Sequence, residues 1–187
     1  MSIRFLLTLL RFLIAATLVA PVTTAVAAES CCNVVANPAM RGRLGRVVVA
    51  YPIEVSDARI DVFRAGETRP IAGGYGDQAF DLLPGTYDVK ISGKPVTGVT
   101  VQSGHDTQIK VGVLRVSAAP DTRIDLVDAD PAGPINSVAD SAEPVGAAKL
   151  TGGYGDQLFG LPIGEVGVQI DGQTEPVMIT EGQVVDF

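Results

Sequence analysis

Downstream of Arg46 the apolar residues recur at every second position in short runs. Val47-Val48-Val49 is β-branched, Ile60 and Val62 flank Asp61, and Phe80 and Leu82 flank Asp81. Tyr87, Val89 and Ile91 alternate with Asp88 and Lys90, Val99 and Val101 flank Thr100, and Thr107, Ile109 and Val111 alternate with Gln108 and Lys110. A period of two puts the apolar set on one face of an extended chain. Gly73-Gly74, Leu83-Pro84-Gly85, Ser92-Gly93 and Ser103-Gly104 separate the runs with turn chemistry. No apolar period of 3.6 residues competes. The pattern predicts an antiparallel β-sandwich of short strands over residues 46–111.

The pattern then returns. Gly73-Gly74-Tyr75-Gly76-Asp77-Gln78 reappears unchanged as Gly152-Gly153-Tyr154-Gly155-Asp156-Gln157, 79 positions later. Arg123-Ile124-Asp125-Leu126 matches Arg59-Ile60-Asp61-Val62, and Phe159, Leu161, Val166, Val168, Ile170, Val177 and Ile179 occupy the apolar positions of the first copy. Inward positions stay apolar while outward ones drift, as in a duplicated unit. A second sandwich is therefore expected over 112–187, entered without a linker and rigidly apposed to the first. Arg59 to Tyr75 spans 16 positions and Arg123 to Tyr154 spans 31, so the second copy carries 15 extra residues. They fall within 128–150, where Pro131, Pro134 and Pro144 predict an exposed loop. The final strand is expected to be short, because Phe187 aligns with Ile109.

Phe80-Asp81-Leu82-Leu83-Pro84-Gly85-Thr86-Tyr87-Asp88-Val89 resembles the F-x-L-x-P-G-x-Y-x-V run of bacterial extracytoplasmic transthyretin-like, carboxypeptidase-regulatory-like and PEGA-type domains. That resemblance implies an Ig-like or transthyretin-like sandwich in a mostly non-catalytic module, with no shared catalytic residues. The second copy departs from it, with Ile163 in place of the proline and Val166 in place of the tyrosine.

The first residues change the picture of where such a protein works. Arg4 and Arg11 lie among leucines and phenylalanines, Pro21 ends the apolar run, and Ala25-Val26-Ala27 has a small-x-small pattern, so residues 1–27 read as a secretory signal peptide. Arg11 splits the run and argues against a membrane span after processing. The expected location is periplasmic, cell-surface or secreted. Removing residues 1–27, which hold two arginines and no acid, takes the formal charge from −7 to −9. So acidic a chain is repelled by nucleic acid and by anionic lipid. Residues 28–45 have glycine, proline and asparagine without apolar period and read as a flexible arm. Cys31 and Cys32, adjacent in that arm, suit a vicinal disulfide, an intermolecular bridge or no role.

The hexapeptide offers the candidate ligand residues: Tyr75, Asp77, Gln78, Tyr154, Asp156 and Gln157 present an aromatic face, a carboxylate and an amide twice, groups suited to a sugar or a peptide strand. The competing reading is a turn whose glycines take positive φ, whose Asp or Gln bonds nearby backbone and whose Tyr packs over the sandwich end. It is preferred, since turn geometry already explains the glycines. No helix follows them to hold a phosphate. Asp121, Asp125, Asp128 and Asp130 lack the spacing of a calcium loop, and His105 is the sole histidine, too little for a transition-metal site. Ser103, His105 and Asp106 belong to one turn and cannot align as a triad. Arg59 with Asp61, and Arg123 with Asp125, read as surface charge pairs. No metal, cofactor or catalytic residue is expected. The sequence points to a non-enzymatic structural or protein-interaction module of the cell envelope, or alternatively to a carbohydrate- or peptide-binding protein using the paired loops.

Overall fold

A computed structural model gives the fold, described here for residues 30–129 and 148–187. The leader and most of the insertion lie outside those residues. Every regular element among the described residues is a β-strand, and no helix there is long and apolar enough to cross a membrane.

The strands pair into four small sheets. Sheet I orders β1 (Cys32–Ala36), β8 (His105–Ile109), β2 (Gly45–Val49) and β5 (Gln78–Leu82), and sheet II orders β4 (Ala72–Tyr75), β3 (Arg59–Arg64), β6 (Gly85–Ile91) and β7 (Lys94–Val101). Sheet III orders β12 (Gln157–Pro162), β9 (Val111–Val116) and β15 (Val184–Asp186), and sheet IV orders β11 (Lys149–Tyr154), β10 (Arg123–Asp128), β13 (Gly164–Ile170) and β14 (Gln173–Ile179). Sheets III and IV repeat I and II strand for strand, apart from β1. In each copy the last strand returns parallel to the first, β8 on β2 and β15 on β9, so sheets I and III are mixed and not antiparallel throughout as the alternation and turns predict.

All-β is what the alternation predicts, and the alternating residues are the buried ones: Val47, Ile60, Val62, Val89, Ile91 and Val99 are fully buried, as are Ile124, Leu126, Leu161 and Val166. Two tandem sandwiches, each around its own core, are not what forms; the units are four blade-sized sheets, and sheet III is shared. Val111 and Val113 belong to the first core, whereas Leu114 and Val116, on the same strand, belong to the second. Successive side chains of a strand point to opposite faces, so β9 is apolar on both.

Further contacts lock this seam. The ring of Tyr51 lies against Gly160, where a Cβ would come within 2.5 Å of it. Ser92 Oγ donates to the Gly160 carbonyl (2.7 Å) and Lys94 Nζ to the Glu165 carbonyl (2.5 Å). The two copies thus meet as one body.

Two local expectations are corrected. Cys32–Ala36 is no flexible arm but a strand, paired antiparallel with β8 along its length. Its residues carry no strong alternation because as an edge strand it leaves Asn33 to Ala36 exposed. Cys31 and Cys32 are joined as a disulfide at its start. Gly73 and Gly74 do not form the turn; they lie within β4, and the turn falls at Gly76-Asp77.

Candidate functional site

The hexapeptide is the corner at which the chain leaves one sheet for the next. β4 belongs to sheet II and β5 to sheet I, and β11 and β12 repeat the step from IV to III. Gly76 and Gly155 make the corner at φ of 64° and 65°, a left-handed conformation in which an L side chain is strained. Their N–H groups donate to the carbonyls of Ala58 and Thr122, each at 3.0 Å.

Two of the three candidate side chains in each copy serve that corner. Asp77 Oδ1 accepts from the Tyr51 N–H (2.9 Å), and Asp156 Oδ1 from the Ala118 N–H (3.2 Å), tying the corner to the loop that leaves β2 or β9. Gln78 and Gln157 fold back so that Nε2 donates to the carbonyl of Tyr75 or Tyr154, both at 2.8 Å. Gly74 and Gly153 leave room for this: a Cβ at either would lie 2.6 Å from the glutamine Cδ.

Tyr75 and Tyr154 do not pack over the sheets as the turn reading expected but project outward, 56% and 58% exposed. The antiparallel registers place Arg59 opposite Tyr75 and Arg123 opposite Tyr154. The Arg59 guanidinium lies 5.0 Å from the centre of the Tyr75 ring, a cation–π contact, and its Nη2 is 2.5 Å from Asp61 Oδ1. In the second copy Arg123 Nε is 3.0 Å from Asp125 Oδ2, and Lys149 Nζ is 2.7 Å from Asp125 Oδ1. Gly73 and Gly152 stand opposite the two aspartates, and a Cβ on either would strike the carboxylate oxygen. The glycines of the motif therefore also make a shallow bed for the ion pair.

Electrostatics follows from these contacts. Hydrogen bonding to Asp61, then Tyr75, holds Arg59 firmly charged, and the bond to Asp125 does the same for Arg123. The hydrogen bond from Lys149, joined by Arg123, holds the Asp125 carboxyl below the usual carboxylate range. Each copy so presents an exposed tyrosine beside a fixed Arg–Asp pair. Around Tyr75 the surface continues into an open groove of about 550 Å³ lined by Pro52, Ile53, Glu54, Ser56 and Asp77.

The arginines and aspartates were visible in the sequence as charge pairs, but their place beside the tyrosines was not. The signal was the constant Arg-Ile-Asp in both copies, which a cross-strand register would have set against Gly-Gly-Tyr. The other candidates do not converge. His105 Nδ1 lies 2.9 Å from the Ser103 carbonyl, Ser103 Oγ reaches toward the Gly42 carbonyl, and Asp106 accepts from Asn37 Nδ2 (2.8 Å). Of the acidic group, Asp125 is engaged by Arg123 and Lys149, and Asp130 lies outside the described residues.

No family model matches the chain, and no curated protein matches it. Among solved structures the chain is similar to the Bacillus anthracis TIE protein, at 14% identity over 76% of this chain and with a TM-score of 0.30. It spans 33% of that protein's chain.

Proposed function

We propose that the protein is an exported, non-enzymatic interaction module of the cell envelope, in which one stiff β body holds two equivalent Tyr–Arg–Asp patches at a fixed spacing. The observation that carries this reading is the double exposure of Tyr75 and Tyr154, each beside the same ion pair, while the rest of the motif is used up in the corner. An exposed aromatic beside a guanidinium is the composition of a binding hot spot, giving large contact area at small entropic cost. Export is supported by the pattern of residues 1–27 and suits the Cys31–Cys32 disulfide, which needs an oxidising compartment. The run Phe80–Val89, with its likeness to transthyretin-like and PEGA-type modules, supports a non-catalytic role. In that run Tyr87 Oη donates to the Leu83 carbonyl (2.7 Å), pinning the Pro84-Gly85 turn.

A second reading, a glycan or an extended peptide as ligand, is favoured by the groove beside Tyr75. Both readings are tested by replacing Tyr75 and Tyr154 in turn with a photoreactive phenylalanine analogue in cells expressing the full chain. A defined crosslinked protein from both positions is expected for the first reading. Retention on a glycan or peptide array, lost in Tyr75→Ala, marks the second. Neither crosslink nor retention would remove the patches as binding faces.

A further inference from the structure

The two copies differ at one sheet edge. In the first, β8 is covered on both sides, by β2 and by β1; in the second, β15 pairs with β9 and no described residue pairs with its other side. We propose that this bare edge of β15 takes the outer edge of β1 from a second copy of the chain, joining molecules head to tail through a continuous sheet. The inference is independent of the tyrosine patches.

The backbone groups needed for such a seam face outward on both strands. Lys110 N–H donates to the Cys31 carbonyl (2.9 Å) and Asn37 N–H to the Gly104 carbonyl (2.8 Å). By antiparallel alternation Asn33 and Val35 then bond to β8, while Cys32, Val34 and Ala36 turn their N–H and C=O groups away from it. On β15, Val113 N–H donates to the Gln183 carbonyl and Phe187 N–H to the Arg115 carbonyl, both at 2.9 Å, so Val184 and Asp186 face outward. The edges match antiparallel with Val34 opposite Val184 and Cys32 opposite Asp186. Of the outward groups, the Cys32 carbonyl already accepts from Ser30 Oγ (2.9 Å), and a carbonyl can take a second donor.

Two observations select β1 as the occupant. The equivalent edge in the same molecule is covered by this very strand. Among the described residues β1 uses only one of its edges, so it can serve β8 of its own chain and β15 of another together. On the β1 side nothing guards the seam, since Cys32–Ala36 contains no charge and no proline and leaves Val34 and Val35 46% and 47% exposed. Unlike edges joined in this way give rows of molecules, not closed pairs.

Proline tests the seam without touching the inner ladders, because Val34 and Val184 each offer their N–H to the outer edge. Protein purified after expression of the full chain is expected to grow in mass with concentration in analytical ultracentrifugation. Val34→Pro and Val184→Pro should each be monomeric, Val34→Pro at unchanged melting temperature because its side chain is exposed, and an equimolar mixture should form a one-to-one dimer through the intact edge of each. Val34→Glu, which sets a carboxylate diagonally across the seam from Asp186, is expected to be monomeric and repeats the test should either proline variant fail to fold. A parent that stays monomeric, association that survives Val184→Pro, or a mixture that stays monomeric would overturn the proposal.

Discussion

Gly76 and Gly155 hold a conformation that only glycine takes freely, and the atoms around them leave little slack: a Cβ would meet the Val55 carbonyl in one copy and Pro120 in the other at 3.1 Å. Gly76→Ala and Gly155→Ala are each expected to cost about 1 kcal/mol or more in urea unfolding. Tyr75→Ala and Tyr154→Ala, on exposed rings, should leave the midpoint almost unchanged. Tyr51 behaves oppositely. Its ring fills the seam against Gly160, yet its hydroxyl is buried with no hydrogen-bond partner among the described residues, and burial, aided by the Asp77 carboxylate, pushes its pKa well up. Tyr51→Phe keeps the ring and removes the desolvated hydroxyl, so stability should hold or rise by up to about 1 kcal/mol. A phenol whose folded pKa is raised stabilises fully below about pH 10 and loses that contribution as the pH climbs toward the folded value. The alkaline loss of stability should therefore shrink in Tyr51→Phe, read from denaturation midpoints across that range. At this scale the sequence spoke clearly about glycine and poorly about position: it set the turn at Gly73-Gly74, whereas positive φ begins at Gly76, because the earlier glycines serve side chains packed over them.

Strands were legible wherever one face is buried and the other wet, as in β5 and β6, since burial itself writes the alternation. β1 escaped notice because an edge strand lying beyond the core has no face to bury and so no period to read. The ion pairs on β3 and β10 were visible as same-face residues, but not the cross-strand tyrosine that shares their patch. Lys149, from the end of the inserted loop, could not be foreseen at all. Its hydrogen bond with Asp125 gives a signed expectation. A carboxyl whose folded pKa lies below its unfolded value stabilises above about pH 4 and loses that contribution as the pH falls through the folded value. Asp81, held low by its bond from Arg46 on sheet I, acts in the same sense. Melting temperature should thus fall on acidification below about pH 4, and Asp125→Asn should lower it at neutral pH while flattening the acid decline.

The duplication was legible across the whole molecule from one exact hexapeptide, and the seam between the copies was not. Alternation on β9 looks like that of any strand with one buried face, because the sequence does not say that Val113 and Leu114 face different cores. Gly160 carries the same hidden meaning: its equivalent in the first copy, Asp81, pairs with Arg46 on an outer face, whereas Gly160 must be bare for Tyr51 and Ala58 to approach. A sheet buried on both faces couples the two cores, so neither can open without exposing β9 and β12. Differential scanning calorimetry of the protein tests this most directly. One transition, with calorimetric and van't Hoff enthalpies equal, is expected, and Gly160→Ala should shift it downward as a whole. Two separate transitions in the parent, or a Gly160→Ala shift confined to part of the endotherm, would contradict the shared sheet and the single rigid body built on it.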